Sequence, residues 1–141
     1  MQLFPIYQLS LLGVGEPGVP NRERIIMRPM EELNLGEYLV CLGYLEDDDS
    51  LSPIPDNLFY FGDRFVAPPS WIILYTGPGR DIESKIKGER EKAYVFHWEK
   101  NHTVFNHPHI VPLLLRVDGL SFTPPVRDIG QATRRSLTHK G

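Results

Sequence analysis

The chain has 141 residues, of which 13 are Pro and 12 Gly, and proline alone is nearly double its usual share of about 5%. Helices tolerate proline only in the first turn, so this density argues for loop-rich β structure, in a length that suits one domain. Hydrophobic residues at 41% with charged ones at 23% exclude a disordered chain and a membrane bundle, and a formal net charge of −3 gives no global field for nucleic acid.

Strand signals recur at short spacing along the chain. They fall at residues 5–12, 24–28, 37–44, 57–61, 71–76, 93–98 and 110–117, each rich in aromatic or branched side chains and bounded by Gly, Pro, Asn or Asp. About seven such strands read as a two-sheet β-sandwich over residues 2–121. In 71–76, Trp71, Ile73 and Tyr75 are expected on one face, with Ile72 and Leu74 on the other. Pro112 lacks a ladder N–H, which predicts an edge or a bulge for the last strand. Residues 81–92 are the one stretch with a helical reading, interrupted by Gly88, and a charged loop is the alternative. Glu46 to Ser50 is a charged turn, and residues 122–141 have too few apolar side chains to pack, so they read as a flexible tail. From Ser121 onward that tail carries Arg127, Arg134, Arg135 and Lys140 against Asp128 alone.

Several chemical patterns fail on their context. Gly13-Val14-Gly15-Glu16-Pro17-Gly18 is a literal G-x-G-x-x-G, but no helical stripe follows it, so it reads as a glycine-proline turn and no cofactor is expected. No G-x-S-x-G elbow is present, and no Ser/His/acid set has the order or spacing of a triad. Cys41 lies in the apolar run Tyr38 to Leu42, where a buried, inert thiol is expected. One cysteine and the absence of a signal-peptide pattern point to the cytoplasm, and no apolar run approaches the ~18 residues of a membrane span. His97, His102, His107 and His109 cluster in sequence. A metal site on His102, His107 and His109 is the alternative to a solvated histidine surface.

Three stretches resemble the bacterial form of the lamin-tail domain family. Arg24-Ile25-Ile26 followed by Leu33-Asn34-Leu35-Gly36-Glu37-Tyr38 is similar to its opening strand and turn. Phe59-Tyr60-Phe61-Gly62 and the run Val66 to Gly79 resemble its aromatic strand, "ala-pro-gly" turn and "tyr-thr-gly-x-gly" ending. Val95-Phe96-His97-Trp98, Val104-Phe105-Asn106 and Val117-Asp118-Gly119 are similar to its later elements, with Glu99, His107 and Ile110 where the family commonly has Gly, Asn and Asp. The resemblance implies an immunoglobulin-like β-sandwich and an accessory module of the kind found beside nucleases, in surface proteins and in nuclear lamins. Such a fold does not fix a function.

Together these readings describe a non-enzymatic module that binds a protein partner through a sheet edge, with strand 110–117 as one candidate, and through loops. The candidate contact residues are Gly77, Gly79, Arg80, His97 and Trp98, with Arg134 and Arg135 in the tail. Gly77, Gly79 and Arg80 are the groups that would face an anion if loops 77–90 and 97–109 converge. A nucleic-acid-associated domain using the tail is the alternative class, and a small enzyme or metal protein using His97 to His109 is the third. The apolar runs Leu58 to Phe61 and Trp71 to Tyr75 load both faces of their strands, so either the chain's own segments 3–12 or 81–92 or a homodimer must cover them.

Overall fold

The computed structural model describes residues 5–85 and 90–125. These residues form eleven strands: β1 (Leu9–Gly15), β2 (Arg24–Pro29), β3 (Leu33–Asn34), β4 (Tyr38–Leu45), β5 (Leu51–Pro53) and β6 (Phe59–Tyr60), then β7 (Phe65–Val66), β8 (Ser70–Tyr75), β9 (Ile82–Lys85), β10 (Lys92–His97) and β11 (Ile110–Arg116). One sheet runs β1-β2-β8-β10-β9, a second runs β11-β4-β5 with β6 also on β4, and β3 and β7 form a two-stranded ladder. All pairs are antiparallel except β8 with β10. The protein is all-β and sandwich-like. Among the described residues no helix is long and apolar enough to cross a membrane.

Period-two patterning builds the interior. Ile25 and Met27 of β2, Ile72 and Leu74 of β8, and Tyr38, Val40 and Leu42 of β4 are buried in one cluster, which joins the inner faces of the two large sheets. Ile72 and Leu74 face this core and Trp71, Ile73 and Tyr75 face outward, as the alternation predicts. The outer face of β8 is half-buried, with neighbours in the chain lying over two of its side chains: the Arg28 guanidinium lies 4.0 Å over the Trp71 ring, Trp71 Nε1 donates to Glu91, and His97 stacks on Tyr75. Leu58 and Tyr60 stay exposed. Cys41 is buried, and that burial pushes its thiol above the usual range.

Three sequence expectations are corrected. Within 81–92, read as a helix or a charged loop, Ile82–Lys85 is an edge strand, held by its backbone to β10 although all four side chains are exposed, and residues 86–89 lie outside the described residues. The first strand is displaced from 5–12 to Leu9–Gly15, so Gly13 and Gly15 belong to a strand and the turn begins at Glu16. Leu12 is a bulge there, skipped by the register between Leu11 and Gly13, and Gly13 supplies the φ of 151° that the bulge uses. The aromatic run 57–61 contributes only Phe59–Tyr60 as strand. β11 is an edge strand containing Pro112, as expected. The tail from residue 126, with Arg134 and Arg135, lies outside the described residues.

Candidate functional site

At one end of the sandwich three segments meet: the turn from β1 to β2, the end of β8, and the loop after β10. Glu23 joins them. It continues the inward phase of Ile25 and Met27, so its carboxylate points into the interior and is 1% exposed. Oε2 accepts from the Gly18 N–H at 2.6 Å and the Phe105 N–H at 3.1 Å. Oε1 accepts from the Thr76 hydroxyl at 2.8 Å and the Val104 N–H at 2.8 Å. Four donors on an acceptor-only group satisfy a buried carboxylate without a cation. The Glu23 backbone carbonyl also accepts from Thr76 N–H, at 3.1 Å.

Beyond β8 and β10 the backbones stay locked together. Trp98 N–H donates to the Tyr75 carbonyl at 2.8 Å and Lys100 N–H to the Thr76 carbonyl at 2.9 Å, while Glu99 takes a left-handed φ of 62° between them. Lys100 folds inward, its Nζ 2.6 Å from Asp56 Oδ2 and 4.7 Å over the Trp98 ring. That hydrogen bond holds the Asp56 carboxyl below the usual carboxylate range. Over this frame opens a groove of about 450 Å³, with Asn21, Gly77, Pro78, Asn101, His102 and Thr103 among its walls. Residues 77–78 and 100–103, parts of the loops 77–90 and 97–109, line it together.

The sequence candidates divide. Gly77 and His102 line the groove, and His102 Nδ1 is 2.9 Å from Asn101 Oδ1. Gly79 packs face-on over His97, where a Cβ would collide with the imidazole, so this glycine is needed for close approach. His97 is stacked on Tyr75 at 5.3 Å, its backbone N–H donates to Asp81 at 2.9 Å, and its Nδ1 is 3.4 Å from the same carboxylate oxygen. Trp98 is buried in the core against Phe59, and its indole N–H has no hydrogen-bond partner among the described residues. Arg80 is exposed. Of the three groups expected to face an anion, the Gly79 N–H faces the Glu99 carboxylate instead, at 3.4 Å.

The three histidines of the candidate metal site, His102, His107 and His109, fall in two places rather than one. His107 and His109 have ring centroids 5.2 Å apart beside Tyr44, with His109 Nδ1 2.6 Å from the Leu45 carbonyl oxygen. His102 stays in the groove wall. Among the described residues no three His, Cys, Asp or Glu side chains are placed to hold a metal ion. Glu23 was missed in the sequence because Asn21-Arg22-Glu23-Arg24 reads as a solvated charged run. The usable signal was parity, since Glu23, one residue before β2, keeps the buried phase of Ile25 and Met27. No protein-family model matches this chain, and neither a curated protein nor a solved structure matches it.

Proposed function

We propose that this chain is a lamin-tail-like, immunoglobulin-like interaction module that docks a protein partner without transforming it. The observation that carries the reading is the groove at the sandwich end, whose walls are pinned to one buried carboxylate. A surface already fixed in place loses little entropy when a partner settles on it. Its chemistry suits a peptide segment. The Asn21 and Asn101 amides both donate and accept, Thr103 adds a hydroxyl, and Pro20 and Pro78 offer apolar rings for side chains. The ammonium in the wall is committed to Asp56, which supports binding over acid–base chemistry.

β9 extends the surface. It follows the groove wall after residues 77–81, ends its sheet, and has a second edge with no strand beside it among the described residues. Such an edge accepts an extended segment through main-chain hydrogen bonds. The test is affinity capture from native lysate with crosslinking, comparing the intact chain with Asn21→Ala/His102→Ala and with Ser84→Pro. A reproducible partner crosslinked to residues 20–21, 77–85 or 100–103, and reduced at least about tenfold by the groove variant, is the expected result. A partner retained equally by all three proteins, or no reproducible partner, overturns the reading.

A further inference from the structure

A second surface lies around β7, separate from the groove and bordering β9 at Lys92. Pairing with β3 turns Val66 inward and Phe65 outward, so the Phe65 ring stands 70% exposed. It forms a ridge between two hollows of about 400 and 300 Å³. The first hollow holds Glu31, Glu32 and Glu37 against the single cation Arg116. The second holds Arg90 and Lys92, with Glu32 at the shared ridge. Glu31, Glu32 and Glu37 make no ion pair among the described residues, whereas Lys92 reaches Glu83 at 3.4 Å. Met30, next to Glu31, is a further large apolar side chain at 62% exposure.

We infer that this face is the interface of a two-fold homodimer. A two-fold contact demands a patch that complements itself. An apolar ridge with an acidic hollow on one side and a basic hollow on the other has that property. Rotation about an axis beside Phe65 lays each phenyl ring in a hollow of the other copy and sets Glu31 and Glu32 opposite Arg90 and Lys92. A foreign partner of one charge sign would meet repulsion on half of the patch. The second copy is the occupant that satisfies both halves, with the rim charges fixing register and the buried aromatic supplying affinity.

Light scattering between about 1 and 100 µM tests this, the range in which interfaces of ordinary size associate. The intact chain is expected to approach twice its 16.2 kDa mass. Phe65→Glu is expected to remain monomeric. So are Glu31→Lys/Glu32→Lys and Arg90→Glu/Lys92→Glu, each on its own. Mixing the two charge variants restores a 1:1 dimer, because each then meets the opposite sign in both hollows. All five positions are exposed, and unchanged circular dichroism and melting confirm that each variant folds. A mass near 16.2 kDa for the intact chain throughout the range overturns the inference, as does a dimer indifferent to Phe65→Glu. Charge variants that fail to combine on mixing overturn the pairing of the hollows.

Discussion

Replacing Glu23 perturbs the end of the sandwich through one side chain. Truncation to Ala leaves the buried Val104 and Phe105 N–H groups and the half-buried Gly18 N–H without their acceptor. Each orphaned donor costs about 1–3 kcal/mol, partly offset because the carboxylate need no longer be desolvated. The Thr76 hydroxyl loses least, since the Glu23 backbone carbonyl lies 3.5 Å away as a second acceptor. The net loss for Glu23→Ala is about 3–5 kcal/mol, a large part of the ~5–15 kcal/mol of a typical domain. Glu23→Gln keeps the shape but exchanges one acceptor for a donor. With its NH2 placed on the Oε1 side, Thr76 turns to accept and the Val104 N–H alone is opposed, for a cost of about 2 kcal/mol. Urea unfolding followed by tryptophan fluorescence gives both values, and thermal melting should fall by about 4 °C per kcal/mol. A Gln variant within about 0.5 kcal/mol of the parent, or an Ala variant no worse than Gln, refutes the carboxylate as the joint of the three loops.

Other consequences follow from neighbouring contacts. Gly79→Ala drives a methyl into the His97 ring and must break its stack on Tyr75, costing about 1–3 kcal/mol, with the displacement visible in the His97 ring resonances. Because the Asp56 carboxyl is held low by Lys100, its contribution is present above the ordinary carboxylate pKa and is lost as pH falls through the lowered value. The stability gap between the parent and Asp56→Asn should therefore be widest near neutrality and close on acidification, which urea midpoints between about pH 7 and 2 will read.

The strands that the sequence made legible are those whose burial alternates. β2 and β8 carry apolar side chains in phase with their inward face, and β11 announces its edge position through Pro112. β9 was illegible for the opposite reason. Ile82, Glu83, Ser84 and Lys85 are all exposed, and only the backbone ladder to β10 makes them a strand. Periodicity reports side-chain burial and is silent on a strand that buries none. At the site, the meeting of residues 77–78 with 100–103 was readable in part, because the loops 77–90 and 97–109 that contain them flank strand 93–98. The role of Gly79 was not, because a glycine that admits a neighbour's ring resembles a glycine that turns a chain. Glu23 is the larger omission, a charged residue whose strand parity outweighs its hydrophilic neighbours.

Amide hydrogen exchange at Gly18, Val104 and Phe105 is the most direct test that one carboxylate makes three loops a single preformed surface. In the intact protein the Val104 and Phe105 amides should exchange only through global unfolding, with protection matching that of Ile25 in β2 and Leu74 in β8. Gly18, half-buried, should be protected to a lesser degree. In Glu23→Gln, Val104 should lose protection while Ile25 and Leu74 keep theirs relative to the variant's own stability. Val104 and Phe105 amides exchanging at the rate of an open loop in the intact protein would contradict a preformed groove.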